Sequence, residues 1–140
     1  MSEQNKALAQ RFYEEVFNKK NLDAIDELCA RDFVDHNAMP GQAPGTKGLK
    51  EVFATFFRGL PDLRITIQEL VAERDIVVAR FSGTATHTGE LMGAAPTGKT
   101  VTMRGMDMIR IKSGKATEVW HEGDDAVVLM QLGVELPSIT

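Results

Sequence analysis

The feature that most constrains the fold is a change of hydrophobic period at Gly59-Leu60-Pro61. Before this point apolar residues recur every three or four positions, as on the buried face of a helix. After it, apolar and polar residues alternate, as in strands that bury one face. The sequence therefore predicts helices first and a sheet second, which is typical of an α+β domain.

Three helices are predicted before the change of period. The first ends at Phe17, the second is short, and the third begins at Thr46 or Gly48. Residues 31–37 between the second and third helices are expected to form a brief extended segment. They are followed by a loop rich in proline and glycine, long enough to form a lid or the rim of a site.

Four strands are predicted after the change of period, over residues 63–68, 76–88, 101–111 and 116–123. Their connections are too short for helical crossovers, so the strands are expected to pair antiparallel. Twist should curl this sheet around the helices and leave a pocket between the two layers. The chain is therefore predicted to be one domain over residues 1–140, with a small-molecule ligand in an internal cavity.

Composition excludes several classes of function. The 43% hydrophobic and 26% charged fractions of the 140 residues are those of an ordinary globular protein, and a net charge of −4 argues against nucleic-acid binding. No segment has the apolar length of a transmembrane helix or a signal peptide, so a cytoplasmic location without a membrane partner is expected. Cys29 is the only cysteine, which excludes an intramolecular disulfide.

Strand alternation selects the first candidate site residues. In residues 101–111, Asp107 shares the more apolar face, and in the last strand Trp120, Glu122 and Asp124 share one face. If the Trp120 face points inward, Asp124 lies above an apolar floor, where burial would raise its pKa into the range of a general acid or base. The alternative is a solvated strand end. Asp125, next along the chain, is expected to cap the closing helix.

Histidine spacing does not indicate a metal site. His36, His87 and His121 are isolated from one another in the sequence, and no short-range ligand pair is present. There is also no Gly-x-Ser-x-Gly nucleophile motif and no glycine-rich nucleotide loop. Neither a metal nor a cofactor is expected.

Four segments together resemble the SnoaL-like polyketide cyclases, which have the nuclear-transport-factor-like fold. They are Phe33-Val34-Asp35-His36-Asn37; residues 86–93 (THTGELMG) with 96–99 (PTGK); residues 105–111 (GMDMIRI); and Glu118-Val119-Trp120 through Asp124 to Gln131-Leu132-Gly133. The resemblance follows chain order over nearly the whole length. It implies a cone-shaped, curved, mostly antiparallel sheet wrapped around three N-terminal helices.

The resemblance also implies roles for individual residues. The family's cyclases need no cofactor and close a polyketide ring by an intramolecular aldol reaction, with an acidic residue that matches Asp124. Asp107 matches a position that supports the reacting oxygen, and His36 matches a histidine at the pocket mouth. The residues expected to contact the ligand are Trp120, Glu122, Tyr13, Phe17, Phe33, Phe53, Phe57, His87 and Met92. The chain departs from the family at Glu122 and Asp125, where relatives carry apolar residues.

Two functions follow as hypotheses. The first is a cofactor-independent cyclase or isomerase that performs acid–base chemistry beside a carbonyl; the second is a non-catalytic protein that binds a small apolar ligand in the same cavity. Epoxide hydrolysis is disfavoured because alternation puts Arg104 and Arg110 on the outer face. A homodimer through that outer face is also expected, since Thr102, Met106, Met108 and Val119 are assigned to it.

Overall fold

The computed structural model describes residues 2–135. Its elements are helix α1 (Ser2–Phe12), a π-helical turn (Tyr13–Asn18), α2 (Ala24–Leu28), β1 (Cys29–Asp35), α3 (Gly45–Gly59), β2 (Arg64–Glu73), β3 (Ile76–Thr86), β4 (Thr100–Lys112), β5 (Lys115–Gly123) and α4 (Asp125–Gln131). No helix in this range combines the length and the hydrophobicity that crossing a membrane requires.

The predicted α+β architecture is confirmed. Five strands form one sheet in the order β1-β5-β4-β3-β2, and β2 to β5 pair antiparallel as expected. The segment predicted only as extended forms one more strand, β1, which pairs parallel to β5. Periodicity did not identify this pairing because β1 and β5 are separated by most of the chain.

The helices cover the inner face of the sheet and close the core between the two layers. Tyr13, Val16 and Ile25 on the helical side are at most 2% exposed, and Val77 and Ala79 on β3 are fully buried. These positions match the predicted helical and strand periods. Removing their apolar surfaces from water supplies the main driving force for closing the helices onto the sheet.

A π-helical turn extends α1 and joins it to the edge of the sheet. The Lys19 N–H donates to the Glu14 carbonyl five residues earlier, which defines the wider turn. Within it, the Asn18 side chain accepts the Ile65 N–H at 2.7 Å and donates to the Ile65 carbonyl at 3.0 Å. One amide therefore substitutes for a neighbouring strand at this point of β2.

A β-bulge at Thr117 reverses the predicted alternation of β5. Ile111 pairs with Ala116, but the next residue of β4, Arg110, pairs with Glu118, so Thr117 has no partner of its own. An extra residue in one strand moves every later side chain to the opposite face. The Trp120 face therefore points outward and the His121 face inward, so the predicted orientation is wrong for Trp120 and Glu122.

The same bulge corrects two other expectations. Val119 pairs with Ile109 and packs against the core, so it does not belong to the outer face. Asp125 was expected to cap the closing helix, but it is the first residue of α4. The capping position, just before the helix, is occupied by Asp124. No side chain caps this helix.

The β3–β4 connection folds back on the domain. Leu91 is fully buried and pairs with Ala94, whereas Met92 next to it is 38% exposed. Leu91 packs directly on Gly59, where an added Cβ would meet the Leu91 Cβ at 2.6 Å. The absence of a side chain at Gly59, which ends α3, therefore lets this loop pack against the helix.

Candidate functional site

A cavity of about 240 Å³ lies between the helices and the inner face of the sheet. Most of its surface is apolar, and aromatic rings supply much of it. The wall includes the side chains of Phe12, Tyr13, Phe17, Phe33, Phe53, Phe56, Phe81, Met103 and Leu129. Pockets of this kind suit a small apolar ligand oriented by a few polar groups.

Four polar side chains form one hydrogen-bonded chain on the cavity wall. The Tyr13 hydroxyl donates to Asp107 Oδ2, and Asp107 Oδ1 lies 2.5 Å from His121 Nδ1. The other ring nitrogen of His121, Nε2, contacts Asp125 Oδ2. Three separate parts of the chain thus converge: the π-helical turn, the β4–β5 pair and the start of α4.

Exposure increases along this chain from the interior to the mouth. Tyr13 is 2% exposed. The side chains of Asp107, His121 and Asp125 are 13%, 27% and 51% exposed. Asp107 is therefore the innermost carboxylate, while Asp125 is half in water.

Two glycines make room for the His121 ring. Gly105 and Gly123 face each other across β4 and β5. A Cβ on Gly105 would lie 2.8 Å from Phe81 Cζ and 3.2 Å from His121 Cε1, and a Cβ on Gly123 would lie 3.2 Å from His121 Nε2. The ring of His121 also stacks with that of Phe81, at 6.2 Å between centroids. A side chain at either position would therefore crowd the imidazole where it lies against the sheet.

The electrostatics of the chain favour a charged imidazole. Hydrogen bonds to Asp107 and Asp125 raise the pKa of His121 from 6.5 to about 10, against an opposing effect of burial. Burial raises the pKa of Tyr13 well above its ordinary value, and the nearby Asp107 charge adds to this. At neutral pH the phenol of Tyr13 is therefore neutral and the imidazole of His121 is protonated.

The mouth of the cavity is formed by the segment after β1. Asp35 accepts hydrogen bonds from the Asn37 N–H at 2.9 Å and from Gln42 Nε2 at 3.2 Å. Gln42 Oε1 accepts the Met39 N–H at 3.0 Å. All four residues line the cavity. The segment predicted as a lid or rim is thus a rim braced by its own side chains.

The structure brings together only some of the predicted site residues. Asp107, Tyr13, Phe17, Phe33 and Phe53 line the cavity. The other predicted residues lie outside its lining: Asp124, His36, Trp120, Glu122, Phe57, His87 and Met92.

Asp124 lies at the end of the β4–β5 ladder. Its Oδ1 accepts the Arg104 backbone N–H at 2.9 Å, and its own N–H donates to the Arg104 carbonyl at 3.2 Å. This pairing holds β4 and β5 together at the end of the hairpin that lies away from the turn. The carboxylate predicted to face inward is therefore engaged with backbone outside the cavity.

His36 and Trp120 lie together on the outer face of the sheet. Their rings stack at 4.4 Å between centroids with an angle of 7° between planes. His36 Nε2 is 2.8 Å from Glu118 Oε2, and Glu118 also pairs with Arg110. Arg110 lies on the outer face as predicted, where it also pairs with Asp75.

The remaining predicted residues have other surroundings. Phe57 packs against Phe17 and Phe53, behind the rings that form the wall. His87 is fully buried, and its Nδ1 is 3.0 Å from Thr97 Oγ1. These contacts hold the β3–β4 connection.

Sequence reasoning missed the roles of His121 and Asp125. The bulge at Thr117 carries no distinctive sequence signal, so alternation assigned His121 to the wrong face. The pair of glycines that flank the ring, Gly105 and Gly123, is the signal that was available. Within residues 2–135 no group of three or more His, Cys, Asp or Glu side chains has an arrangement suited to a metal ion.

A curved sheet that closes with helices around an apolar cavity defines the nuclear-transport-factor-like class of α+β domains. A structure described as a candidate SnoaL-like polyketide cyclase, from Jannaschia sp. CCS1, shares this fold with a TM-score of 0.84 over 96% of this chain and 95% of that one, at 20% identity. The family model of the SnoaL-like polyketide cyclases matches residues 7–132, and the chain belongs to this family.

Other solved structures are closer in sequence. IdmH from Streptomyces antibioticus, described as a candidate polyketide cyclase, is 33% identical with a TM-score of 0.78, covering 94% of this chain and 99% of that one. AclR from Streptomyces galilaeus, described as a candidate hydroxylase, is 27% identical with a TM-score of 0.83, covering 100% and 87%. A comparison with curated proteins found no match. Family membership supports a cyclase-type enzyme.

Proposed function

We propose that the protein catalyses a cofactor-free ring closure of the aldol type, with Asp107 as the group that takes and returns the proton. The observation that carries this proposal is the setting of Asp107. It is a nearly buried carboxylate on the wall of an apolar cavity, contacted by the Tyr13 hydroxyl and by His121. Its two oxygens offer more acceptor sites than these two donors occupy.

The reaction would proceed in balanced proton transfers. Asp107 removes a proton from a carbon next to a carbonyl, and the electron pair of that bond moves into the resulting enolate. The enolate carbon attacks a second carbonyl of the same substrate and forms the new carbon–carbon bond. The alkoxide left on the second carbonyl takes the proton back from Asp107, so the enzyme ends in its starting state.

The surrounding donors determine which substrates suit this base. The proposed base is a carboxylate that already accepts hydrogen bonds from Tyr13 and His121, and a carboxylate is a weak base. A weak base requires an acidic carbon, such as a methylene between two carbonyls. Both N–H groups of the His121 imidazolium are engaged with carboxylates, so it would stabilise the negative charge that develops on oxygen through its own positive charge.

This proposal transfers the acid–base role expected for Asp124 to Asp107. The Asp124 carboxylate accepts the Arg104 backbone N–H and does not line the cavity, and His36 stacks on Trp120 outside it. The supporting role expected for Asp107 and His36 passes to Tyr13 and His121.

Deuterium exchange at an activated methylene tests the proposal without knowledge of the natural substrate. The probe is ethyl benzoylacetate in D₂O, followed by proton NMR, with the rate in buffer subtracted. The wild type should accelerate exchange, and Asp107→Asn should lose most of this acceleration, by a factor on the order of 10² or more. The matched control Asp124→Asn should retain it.

Two outcomes would contradict the proposal. Retention of exchange by Asp107→Asn would remove Asp107 from the chemistry, and loss in Asp124→Asn alone would return the role to Asp124. Binding of the probe by the wild type without any acceleration would favour the second candidate, a protein that holds an apolar ligand without chemistry, for which the apolar cavity wall is the supporting observation.

We also propose a homodimer through the outer face of the sheet. Met106 and Met108, which the sequence assigned to that face, are 51% and 38% exposed there. Apolar side chains of this exposure are common at interfaces between subunits.

A further inference from the structure

One side chain links the rim of the cavity to the acid–base chain. The His36 N–H donates to the Val119 carbonyl at 3.0 Å, which extends the parallel pairing of β1 and β5 by one residue. At the next position the backbone of β1 is replaced by a side chain. Asn37 Oδ1 accepts the His121 N–H at 2.6 Å. Asn37 therefore holds the backbone of the residue whose ring contacts Asp107.

This hydrogen bond fixes the orientation of the Asn37 amide. A backbone N–H can pair only with an acceptor, so the oxygen of the amide must face His121 and the NH₂ group must face away. Asn37 is exposed and lines the cavity mouth. Among residues 2–135 no acceptor takes a hydrogen bond from this NH₂ group.

The other polar groups of the rim are already engaged. Asp35 accepts bonds from Asn37 and Gln42, and the Gln42 oxygen accepts the Met39 N–H. The Asn37 NH₂ group is therefore a donor at the cavity mouth, and the bond that its oxygen accepts sets its orientation. A neutral carbonyl oxygen is the complementary group, since an anionic one would face the nearby carboxylates of Asp35 and Asp125.

We propose that Asn37 is a specificity-determining residue that donates a hydrogen bond from Nδ2 to a carbonyl oxygen of the substrate at the cavity mouth. This inference rests on the proposed function, because it identifies how the same cavity selects a carbonyl compound. The Asn37 oxygen and NH₂ group then have separate tasks. The oxygen accepts the His121 backbone N–H, and the NH₂ group donates to the carbonyl of the ligand.

A pair of ligands of similar shape separates these tasks. Propiophenone has a carbonyl and propylbenzene does not, and their binding to ¹⁵N-labelled protein is measured by NMR titration. The wild type should bind propiophenone about fivefold more tightly, the contribution of one neutral hydrogen bond. The Asn37 side-chain NH₂ resonances should shift with propiophenone and not with propylbenzene.

Two variants complete the test. Asn37→Asp keeps an oxygen for the His121 N–H but removes the donor, so the preference for propiophenone should disappear while the His121 amide resonance stays near its wild-type position. Asn37→Ala should lose the preference and also shift that resonance. Val34→Ala, at an exposed position of β1 outside the cavity lining, should retain the preference.

Several results would overturn the proposal. One is that the wild type binds the two ligands with equal affinity or binds neither. Another is that Asn37→Asp keeps the preference for propiophenone. Asp107→Asn serves to separate this failure from failure of the proposed chemistry. If Asp107→Asn abolishes deuterium exchange but the wild type shows no carbonyl preference, the chemistry stands and the Asn37 role falls.

Discussion

His121 is set apart from the other histidines because both of its ring nitrogens contact carboxylates. Asp107 lies on the inner side and Asp125 on the outer side. Both contacts favour the protonated ring, and this outweighs the partial burial that would disfavour it. The residue is therefore charged at neutral pH, which makes it a donor and excludes it as the base of the proposed reaction.

The raised pKa of His121 predicts how stability varies with pH. Because the folded-state pKa of about 10 lies above the ordinary value of 6.5, the stabilisation is complete below 6.5 and is lost as pH rises towards 10. The free energies of unfolding of the wild type and of His121→Gln, measured in urea, should therefore differ most at the acidic end of this window. The difference should shrink steadily as the solution becomes more alkaline.

NMR titration of the His121 ring provides the matching control. In Asp107→Asn the ring loses the carboxylate that contributes most to its raised pKa, so this pKa should fall towards the ordinary value. A wild-type His121 that titrates near 6.5, or a stability difference that grows with pH, would contradict this account of the site.

At the scale of elements, the β4–β5 hairpin determines which side chains reach the cavity. The tight turn at Ser113-Gly114 was predictable, and both residues have the positive φ that such a turn requires. Alternation along β4 was also predictable, and it placed Asp107 correctly. Beyond Thr117 it failed on β5, because one unpaired residue reverses every later side chain.

The hairpin shows why the fold could be predicted more fully than the site. Helices, strands and antiparallel pairing depend on many residues, so a local irregularity does not change them. The site depends on the orientation of His121, and one bulge decides that orientation. Asn37 and Asp125 are near His121 only because β1 pairs parallel to β5 and α4 follows directly, and neither contact leaves a local sequence pattern.

The glycine pair in this hairpin predicts a steric effect on the site. Gly105→Ala would place a methyl group 2.8 Å from Phe81 Cζ and 3.2 Å from His121 Cε1, so one of the rings must move. We expect a loss of about 1–3 kcal/mol in the free energy of unfolding. The ring resonances of His121 should shift as well, since its contact with Asp107 is disturbed.

Arg104→Lys, next to Gly105 on the same strand, is the control for this substitution. Its side chain is 81% exposed and keeps its charge, so the free energy of unfolding should change by no more than about 0.5 kcal/mol. A Gly105→Ala protein with wild-type stability and unchanged His121 resonances would show that the pocket for the ring is looser than the structure indicates.

At the scale of the whole molecule, the outer face of the sheet carries an apolar row that crosses four strands. Val71 pairs with Val78, Val78 with Met108, and Met108 with Trp120. His36 continues the row by stacking on Trp120. Charged side chains flank it, with Glu69 and Arg80 paired on one side and Arg110 and Glu118 on the other. Val71 is 63% exposed, so the row lies open at its β2 end.

This arrangement supports the proposed dimer. A two-fold axis through the row would lay one apolar row against its copy, with charged side chains of both signs at the rim, as an isologous interface requires. Sedimentation velocity at micromolar concentration should therefore give a dimer for the wild type. Met108→Asp, which puts a charge in the middle of the row, should give a monomer that keeps the fold by circular dichroism.

Thr102→Asp is the matched control for this last prediction, because Thr102 is exposed on the same strand and face but lies beyond the row. It should remain a dimer. A wild type that sediments only as a monomer would refute the interface, and a Met108→Asp dimer would place the contact elsewhere on the surface. Neither result would affect the cavity, since its lining lies on the opposite face of the sheet, so assembly and chemistry can be tested independently in this protein.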